Sequence, residues 1–431
     1  MLATRLPQRL ANRERTVPVT THTYPDKFAV PHRFSTIQAA VDAIARGELI
    51  IVVDAEDREN EGDFIGAADM VTPEMVNFII THGRGQVCVP MLSETADRLK
   101  LEPVTDVNNA PLHTGFLTPI DHASAKTGIT AQERALTIKT TVEPESSPND
   151  FVRPGHVFPI LAKEGGVLRR AGHTEATVDL ARMAGLTPVG VLCEILNDTG
   201  DRATRDELLA LAEKFKLQII SIEELIKHRR VSEKLVHRQA EAKLPTRFGD
   251  FNIIVYRVDH EDQEPLVLTT GDLSKVDAPL IRLHSSCFTG DLVDSLRCDC
   301  GDQLKMALEM IAAEGAGALV YLPQEGRGIG LTQKIKAYAL QDGGMDTVEA
   351  NHALGFKADM RDYGIGIQLL KDLGLKKVRL LTNNPKKTDA FIYGGFDLEV
   401  VDQVPINPPI NPHNEAYLRT KREKMGHQLP E

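Results

Sequence analysis

Three of the chain's five cysteines fall in one short stretch, CFTGDLVDSLRCDC, from Cys287 to Cys300. Cys287 is followed by ten residues, then Cys298, one residue, and Cys300. A disulfide, a metal site and chance are the competing readings. Cysteines one residue apart on a strand point to opposite faces, so a Cys298–Cys300 disulfide would be strained. Three thiolates gathered by a turn form a soft ligand set suited to Zn2+. With His284 as a fourth ligand, the site would be a closed structural knuckle. With three, one vertex stays open for water, as in catalytic zinc centres. Spacing alone leaves both open.

The neighbouring residues favour chemistry. IRLHSSC brings Arg282 and His284 up to the first thiol. QEGRGIG, Gln324–Gly330, is a glycine-rich loop carrying Arg327 between a strand and a helix. Such a loop can present backbone N–H groups and a helix N-terminus to an anion, although most such loops are only turns. ADMRDYG holds Asp359, Arg361 and Asp362. LTNNPKK places Thr382, Asn383, Asn384, Lys386 and Lys387 at a strand end, where α/β sheets bind ligands. Together with zinc, these groups point to hydrolysis of a phosphorylated or nucleotide substrate.

The first half carries a different set. DAEDRENEGD contains Asp54, Glu56, Asp57, Glu59, Glu61 and Asp63, with Arg58 among them and Gly62 near the end. A solvated acidic loop is the ordinary reading of such a run. Because it follows the strand LIIVVD, a Mg2+ site is the functional one. In LRRAGHTEATVDLARMAG, Thr174 reads as an N-cap and Gly185 as a stop. Arg169, Arg170, Gly172 and His173 then sit at a helix N-terminus, a ready anion site. RPGHVFP adds His156. Glu194, in the apolar strand GVLCEIL, is costly unless paired or working. Cys88 and Cys193 read as core thiols. Metal-binding carboxylates beside a phosphate anchor suggest chemistry on a small sugar phosphate. A divalent ion chelated by neighbouring hydroxyls would acidify an adjacent C–H.

These residues need two scaffolds. A chain of 431 residues suits two domains, and 42% hydrophobic content suffices for two cores. A net charge of −11 argues against nonspecific nucleic-acid binding. No apolar run approaches a membrane span or a signal-peptide core, and the sparse, odd-numbered cysteines indicate a reducing compartment. Residues 1–31 read as a disordered extension. FSTIQAAVDAIARG reads as a helix with Ser35 and Gln38 as a capping box. The charged stretch 229–245, ending at Pro245, reads as a linker between domains at 32–228 and 246–431. Beyond it, FGDFNIIVYRV and LVLTTGD read as a hairpin, and helices and strands then alternate through QLKMALEMIAAEG, ALVYLP, LTQKIKAYALQDGG and KKVRLLTNNP. No internal repeat is visible. The fold class is α+β or mixed α/β, with two different domains.

RLHSSCFTGD, LRCDCGDQL, QEGRGIGL, TVEANHALGF and LTNNPKK, in this order, resemble GTP cyclohydrolase II. That family opens the imidazole ring of GTP and yields 2,5-diamino-6-hydroxy-4-(5-phosphoribosylamino)pyrimidine, formate and pyrophosphate. The resemblance implies Zn2+ on Cys287, Cys298 and Cys300, with its water attacking carbon 8 of guanine. It implies nucleotide contacts from Arg282, Leu283, His284, Ser285, Ser286 and Gln303. Further contacts are Glu325, Gly326, Arg327, Thr347, Thr382 and Lys387. Asp359 is implied as proton acceptor and Arg361 as nucleophile at the α-phosphate. A guanidinium is cationic at any ordinary pH, so Arg361 is expected instead to stabilise phosphate charge. Ser286 departs from the family, which often has Glu there.

DAEDRENEGD, RPGHVFP, AGHTEATVDL and GVLCE resemble 3,4-dihydroxy-2-butanone-4-phosphate synthase, from about Phe34 to Leu225. The resemblance implies ribulose 5-phosphate as substrate, formate as second product, and Mg2+ or Mn2+ held by Glu59 and His173. It implies substrate contacts from Arg58, Asp63, Arg170, Ala171, Gly172, His173, Thr174 and Glu194, with His156 and Glu194 moving protons. TGITAQER and NNAPLHTGF vary from the family pattern. The two halves together look like a bifunctional enzyme of riboflavin biosynthesis, a lyase joined to a hydrolase, cytoplasmic and homodimeric, without nucleic-acid or membrane partners. The alternative is that one half is silent and serves as a dimerisation or nucleotide-binding module.

Overall fold

The computed structural model describes residues 34–426, except 57, 113, 262–263, 357–358, 360, 362, 385–386, 388–390 and 392–396. Residues 1–31 lie outside the described residues, as do Asp57, Asp362 and Lys386. Two separate mixed sheets are present, flanked by helices.

The first sheet is built from β1 Ile50–Val53, β2 Gly62–Ala67, β3 Cys88–Met91, β4 Gly115–Phe116, β5 Ile120–His122, β6 Phe151–Leu161, β7 Gly190–Glu194 and β8 Gln218–Ser221. Its order is β4-β6-β3-β7-β2-β1-β8, with β5 on β6. In β1, Ile51 and Val53 enter one core while Ile50 and Val52 enter the opposite one. Alternation along a strand dictates this, and burial on both faces explains the unbroken apolar run.

The second sheet contains β9 Val236–Thr246, β10 Gly249–Val258, β11 Leu266–Thr270, β12 Leu280–Ser285, β13 Gly317–Leu322, β14 Lys377–Leu381 and β15 Glu399–Val404. Its order is β15-β14-β12-β13-β11-β10-β9. Strands β12, β13 and β14 run parallel, so their C-terminal ends open on one side. The helix Cys300–Glu314 packs Ala307, Leu308 and Ile311 on one face of this sheet. The helix Gly364–Asp372 packs Ile367, Leu369 and Leu370 on the other.

Three local expectations are corrected. Thr36, not Ser35, caps the first helix by accepting from Ala39 N–H; Ser35 Oγ instead accepts from Ile219 N–H. Gly172, not Thr174, is the N-cap of the helix His173–Met183, so His173 is its first residue. Cys298 and Cys300 do not lie on a strand: Cys300 opens a helix, and the chain's winding there gathers the sulfurs. All five cysteines are free thiols.

The stretch 229–245 is not a free linker. The helix Ile222–Ser232 runs into it, and Val236 begins β9, which pairs with β10 along its length. As the edge strand it is largely exposed, so it lacks the apolar alternation that marks a strand in sequence; Pro245 is tolerated at that edge. Arg229 is buried beside this junction. Its Nη1 donates to Asp179 at 2.7 Å and to Gly165 O at 2.8 Å, and its Nε to Glu233 at 2.6 Å. Gln368 of the second half donates to the carbonyls of Arg230 and Glu233 and accepts from Leu235 N–H. Substituting Arg229→Met removes the buried cation from Asp179 Oδ2 and leaves only the half-exposed Arg182 on Oδ1 at 3.0 Å. It is expected to cost about 3–5 kcal/mol in urea unfolding, with most of the loss recovered by adding Asp179→Leu.

Candidate active sites

The first site forms where β1 ends. Asp54, buried, accepts from the N–H groups of Glu59 and Glu61, each at 3.0 Å, and from Arg58 Nη1 at 2.9 Å. It therefore folds the acidic loop back on itself and brings Glu59 and Glu61 towards His173, while Glu56 stays exposed. Arg58 also bonds Glu59. His173 Nε2 lies 3.1 Å from Val52 O, which fixes the N–H on that nitrogen. Its Nδ1 is buried without a hydrogen-bond partner among the described residues, 4.0 Å from Glu59 Oε2 and 3.9 Å from Glu61 Oε1. Asp54, Glu59 and His173 form one candidate ligand group, and Glu61, Asp63 and His173 a second.

The electrostatics suit a cation. Burial, then repulsion from Glu59, Glu194 and Asp54, pushes Glu61 up to about 7. Burial, then Glu194 and Glu61, holds Asp63 well above the usual carboxylate range. Burial pushes the His173 imidazole down to about 4. Asp63 faces Glu194 directly across the β2–β7 ladder, and Glu194 Oε2 accepts from Gln86 N–H at 2.8 Å. The buried Asp63 Oδ1 has no hydrogen-bond partner among the described residues. A neutral, partnerless imidazole nitrogen facing crowded carboxylates fits a divalent ion.

Arg170, Ala171 and Gly172 lead into the helix at His173. A side chain at Gly172 would lie 2.6 Å from Arg170 Nη1 and 3.1 Å from Arg58 Nη2, so glycine lets both cations approach the helix start. Arg170 is anchored by Glu175 at 2.8 Å. Thr174, next in the helix, is buried. His156 stands apart: its Nδ1 lies 2.7 Å from Asp121 Oδ2, and its ring is half exposed on β6. Among the described residues, no hydrogen bond or ion pair joins it to the carboxylate cluster. Asp121, which orients it, was not singled out in sequence, where it is one acid among many.

The second site lies at the C-terminal ends of β12, β13 and β14. Donor atoms of Cys287, Cys298 and Cys300 all lie within 4.8 Å of one another, with Cys287 Sγ 3.7 Å from Cys298 Sγ. Among the described residues, no fourth His, Cys, Asp or Glu joins them. His284 is engaged elsewhere, its Nε2 3.1 Å from both oxygens of Asp291. Gly290 wraps the loop round the sulfurs; a Cβ there would sit 3.0 Å from Cys298 Sγ. The contacts with Cys298 and Cys300, then Lys334, pull the Cys287 thiol down. The same anion lifts Cys298 up to about 11 and Cys300 well above its usual range. One negative charge shared by three sulfurs is what a soft cation would relieve, and the set fits zinc.

One pocket holds these cysteines together with Arg282, His284, Ser285, Ser286 and Gln303. Glu325, Gly326 and Arg327 of the glycine-rich loop line it, with Thr347, Arg361, Thr382 and Lys387. Leu283 contributes its carbonyl, which accepts from Lys387 Nζ at 2.6 Å. Gly326 and Arg327 both have φ of 62°, Gly328 94° and Gly330 83°, so the loop curls into a nest of N–H groups. Arg327 carries a side chain in a left-handed conformation, strain that clusters at functional sites. Burial, then Arg282, Arg361 and Lys421, pushes Lys387 well below its usual range. Burial lowers Arg282 to about 10. Asp359 and Arg361 form a two-point pair at 2.8 and 2.6 Å. Among the lining residues Glu325 is the one carboxylate, already bound to Lys334 at 2.8 Å. Crowded cations of this kind call for a polyanion.

Lys334, Tyr338, Tyr417 and Lys421 line the same pocket and escaped the sequence reading. Lys334 and Tyr338 are one helical turn apart just after the glycine-rich loop, which is the signal that could have found them.

A family model of 3,4-dihydroxy-2-butanone 4-phosphate synthase matches residues 38–228, and one of GTP cyclohydrolase II matches residues 237–405. The riboflavin biosynthesis protein RibBA of Bacillus mycoides (strain KBAB4) is 53% identical over 396 residues, covering 92% of this chain and 99% of the relative. RibBA of Bacillus cytotoxicus (strain DSM 22905 / CIP 110041 / 391-98 / NVH 391-98) is 52% identical over the same shares. The crystal structure of RibBX, a two-domain 3,4-dihydroxy-2-butanone 4-phosphate synthase from A. baumannii, superposes with a TM-score of 0.65 at 35% identity, covering 81% of this chain and 94% of that one. Fold and sites thus define a lyase fused to a hydrolase. The chain belongs to the family of bifunctional riboflavin biosynthesis proteins, with 3,4-dihydroxy-2-butanone 4-phosphate synthase and GTP cyclohydrolase II activities.

The acid loop sets a pH dependence. Glu61 costs the metal-free fold stability as pH rises from the ordinary carboxylate range to about 7, because the unfolded chain releases that proton first. A divalent ion held there would displace the proton, so Mn2+ is expected to raise the melting temperature more at about pH 7.5 than at about pH 5.5. His173→Asn is expected to remove most of that rise in a thermal melt.

Proposed function

We propose that the acidic site performs the ribulose 5-phosphate reaction and the cysteine site the GTP reaction, with the following roles. Glu59 and His173 hold Mg2+ or Mn2+; an imidazole ligand suits Mn2+ at least as well. When bound, that ion supplies a Lewis-acidic centre for neighbouring sugar hydroxyls. The helix start at Arg170–Thr174 and the Arg58 guanidinium receive the sugar phosphate. Asp63, whose proton burial and the neighbouring carboxylates hold more firmly than usual, and Glu194 beside it bind the sugar and exchange protons with it. Asp121 fixes the tautomer of His156 and leaves Nε2 free to move a proton.

In the second half, Cys287, Cys298 and Cys300 hold Zn2+, which supplies the Lewis acidity for opening the guanine ring. Arg282, Arg327, Arg361 and Lys387 receive the triphosphate, and Gln303, Ser285, Ser286, Thr347 and Thr382 add polar contacts. Burial opposes ionisation of Asp359, but its pair with Arg361 holds it as the anion. Asp359 can therefore accept a proton, while Arg361 remains a cation that stabilises phosphate charge and is not the nucleophile. The observation that carries this reading is a three-sulfur cluster sharing one pocket with a crowd of buried cations.

Exposed Phe288, Leu292, Leu296, Leu331 and Ile335 near the zinc loop support a homodimer. Five free thiols support a cytoplasmic location. Among the described residues, no helix is long and apolar enough to cross a membrane.

Formate released from GTP and from ribulose 5-phosphate is the discriminating assay. Cys298→Ser is expected to abolish release from GTP and leave release from the sugar phosphate within about twofold, and Glu59→Gln to do the reverse. Loss of both from either variant contradicts two independent sites. Elemental analysis of the purified chain is expected to find one zinc per chain, lost in Cys298→Ser.

A further inference from the structure

The match to the GTP cyclohydrolase II family model ends at residue 405, yet the pocket does not. Its wall includes Tyr417 and Lys421 from the helix Glu415–Met425. The chain reaches that helix through a firm attachment: Asn383, at the end of β14, bonds both the N–H and the carbonyl of Ile406.

The helix then grips three separate parts of the pocket. Tyr417 presents its ring 5.5 Å from the Arg327 guanidinium and 4.6 Å from the Lys421 ammonium. Lys421 donates to Asp299 Oδ1 at 2.6 Å. Asp299 is fully buried between Cys298 and Cys300, and its other oxygen accepts from Gln303 Nε2 at 2.8 Å. Gln303 in turn accepts from Arg282. One turn further on, Lys424 bonds Asp346 and Glu349, which frame the helix start that carries Thr347.

A buried ion pair is a poor source of stability but a strong geometric constraint. Here it fixes the single residue between two metal-binding thiols. Arg327 sits in a left-handed backbone conformation, so its side chain depends on outside contacts for its direction. The Tyr417 ring supplies one of them.

We propose that the C-terminal helix is a working wall of the nucleotide site, in which Tyr417 positions Arg327 for the triphosphate and Lys421, through Asp299, positions the zinc loop and Gln303. The inference rests on reading this pocket as the GTP site. Both are positioning residues. Tyr417 acts on nucleotide affinity and Lys421 on the metal loop, so their effects separate.

The test uses the full chain, with ribulose 5-phosphate turnover measured alongside as an internal control and zinc content as a check on the second half. Tyr417→Leu is expected to raise the KM for GTP roughly tenfold with kcat within about threefold and zinc retained, the worth of one desolvated cation–π contact. Tyr417→Phe, which keeps the ring, is expected to stay within about twofold of the parent chain. Lys421→Met is expected to lose zinc to a chelator faster than the parent, and the double variant Lys421→Met with Asp299→Asn to recover most of that retention. If Arg327→Gln raises the KM and Tyr417→Leu does not, the helix is mere packing and the proposal falls while the site assignment stands. If Arg327→Gln also leaves the KM unchanged, the pocket is not the triphosphate site and both fall.

Discussion

Like charges crowded together in a dry place must be held by something stronger than their repulsion. Both sites are organised by that constraint. In the first half, Glu59, Glu61, Asp63 and Glu194 converge beside a partnerless His173 nitrogen. In the second, Arg282, Arg361, Lys387 and Lys421 converge beside three sulfurs. Burial and like charge shift the proton equilibria in both: Asp63 and Glu61 are raised, and Lys387 is lowered. A cation in one case and a polyanion in the other would oppose those shifts.

The sheets supply the restraint. Asp54 is the residue after β1, Asp63 lies in β2 and Glu194 ends β7, so three adjacent strands fix the carboxylates. His173 is tied to β1 through Val52 O, which sets both its tautomer and its direction. In the second half the ends of β12, β13 and β14 deliver Ser285, Gln324 and Thr382 to one rim. A single glycine, Gly290, lets the cysteine loop close without a side chain pushing the sulfurs apart.

Much of this was legible in the residues. Short, dense motifs announced both sites because their chemistry needs particular side chains at particular distances along the chain. The helix-and-strand alternation of the second half was legible for the same reason, as apolar period follows burial. Four features were not. The strand Val236–Thr246 looked like a linker because an exposed edge strand carries no apolar alternation. Gly172 displaced Thr174 as N-cap because the arginines and the histidine need an unobstructed approach there. Asp121 beside His156 and Lys421 beside Asp299 act through contacts separated by 35 and 122 positions, and no local pattern encodes such a pairing.

The clamp at the junction of the halves has one more implication. Gln368 uses both its amide N–H and its carbonyl on the backbone of 230–235, and Arg229 behind it anchors to the helix that begins with His173. Gln368 itself belongs to the helix that starts three positions after Arg361. The two halves are thus joined by a structural graft: severing the chain here would strip hydrogen-bond partners from both sides, so neither half ends in a clean stump.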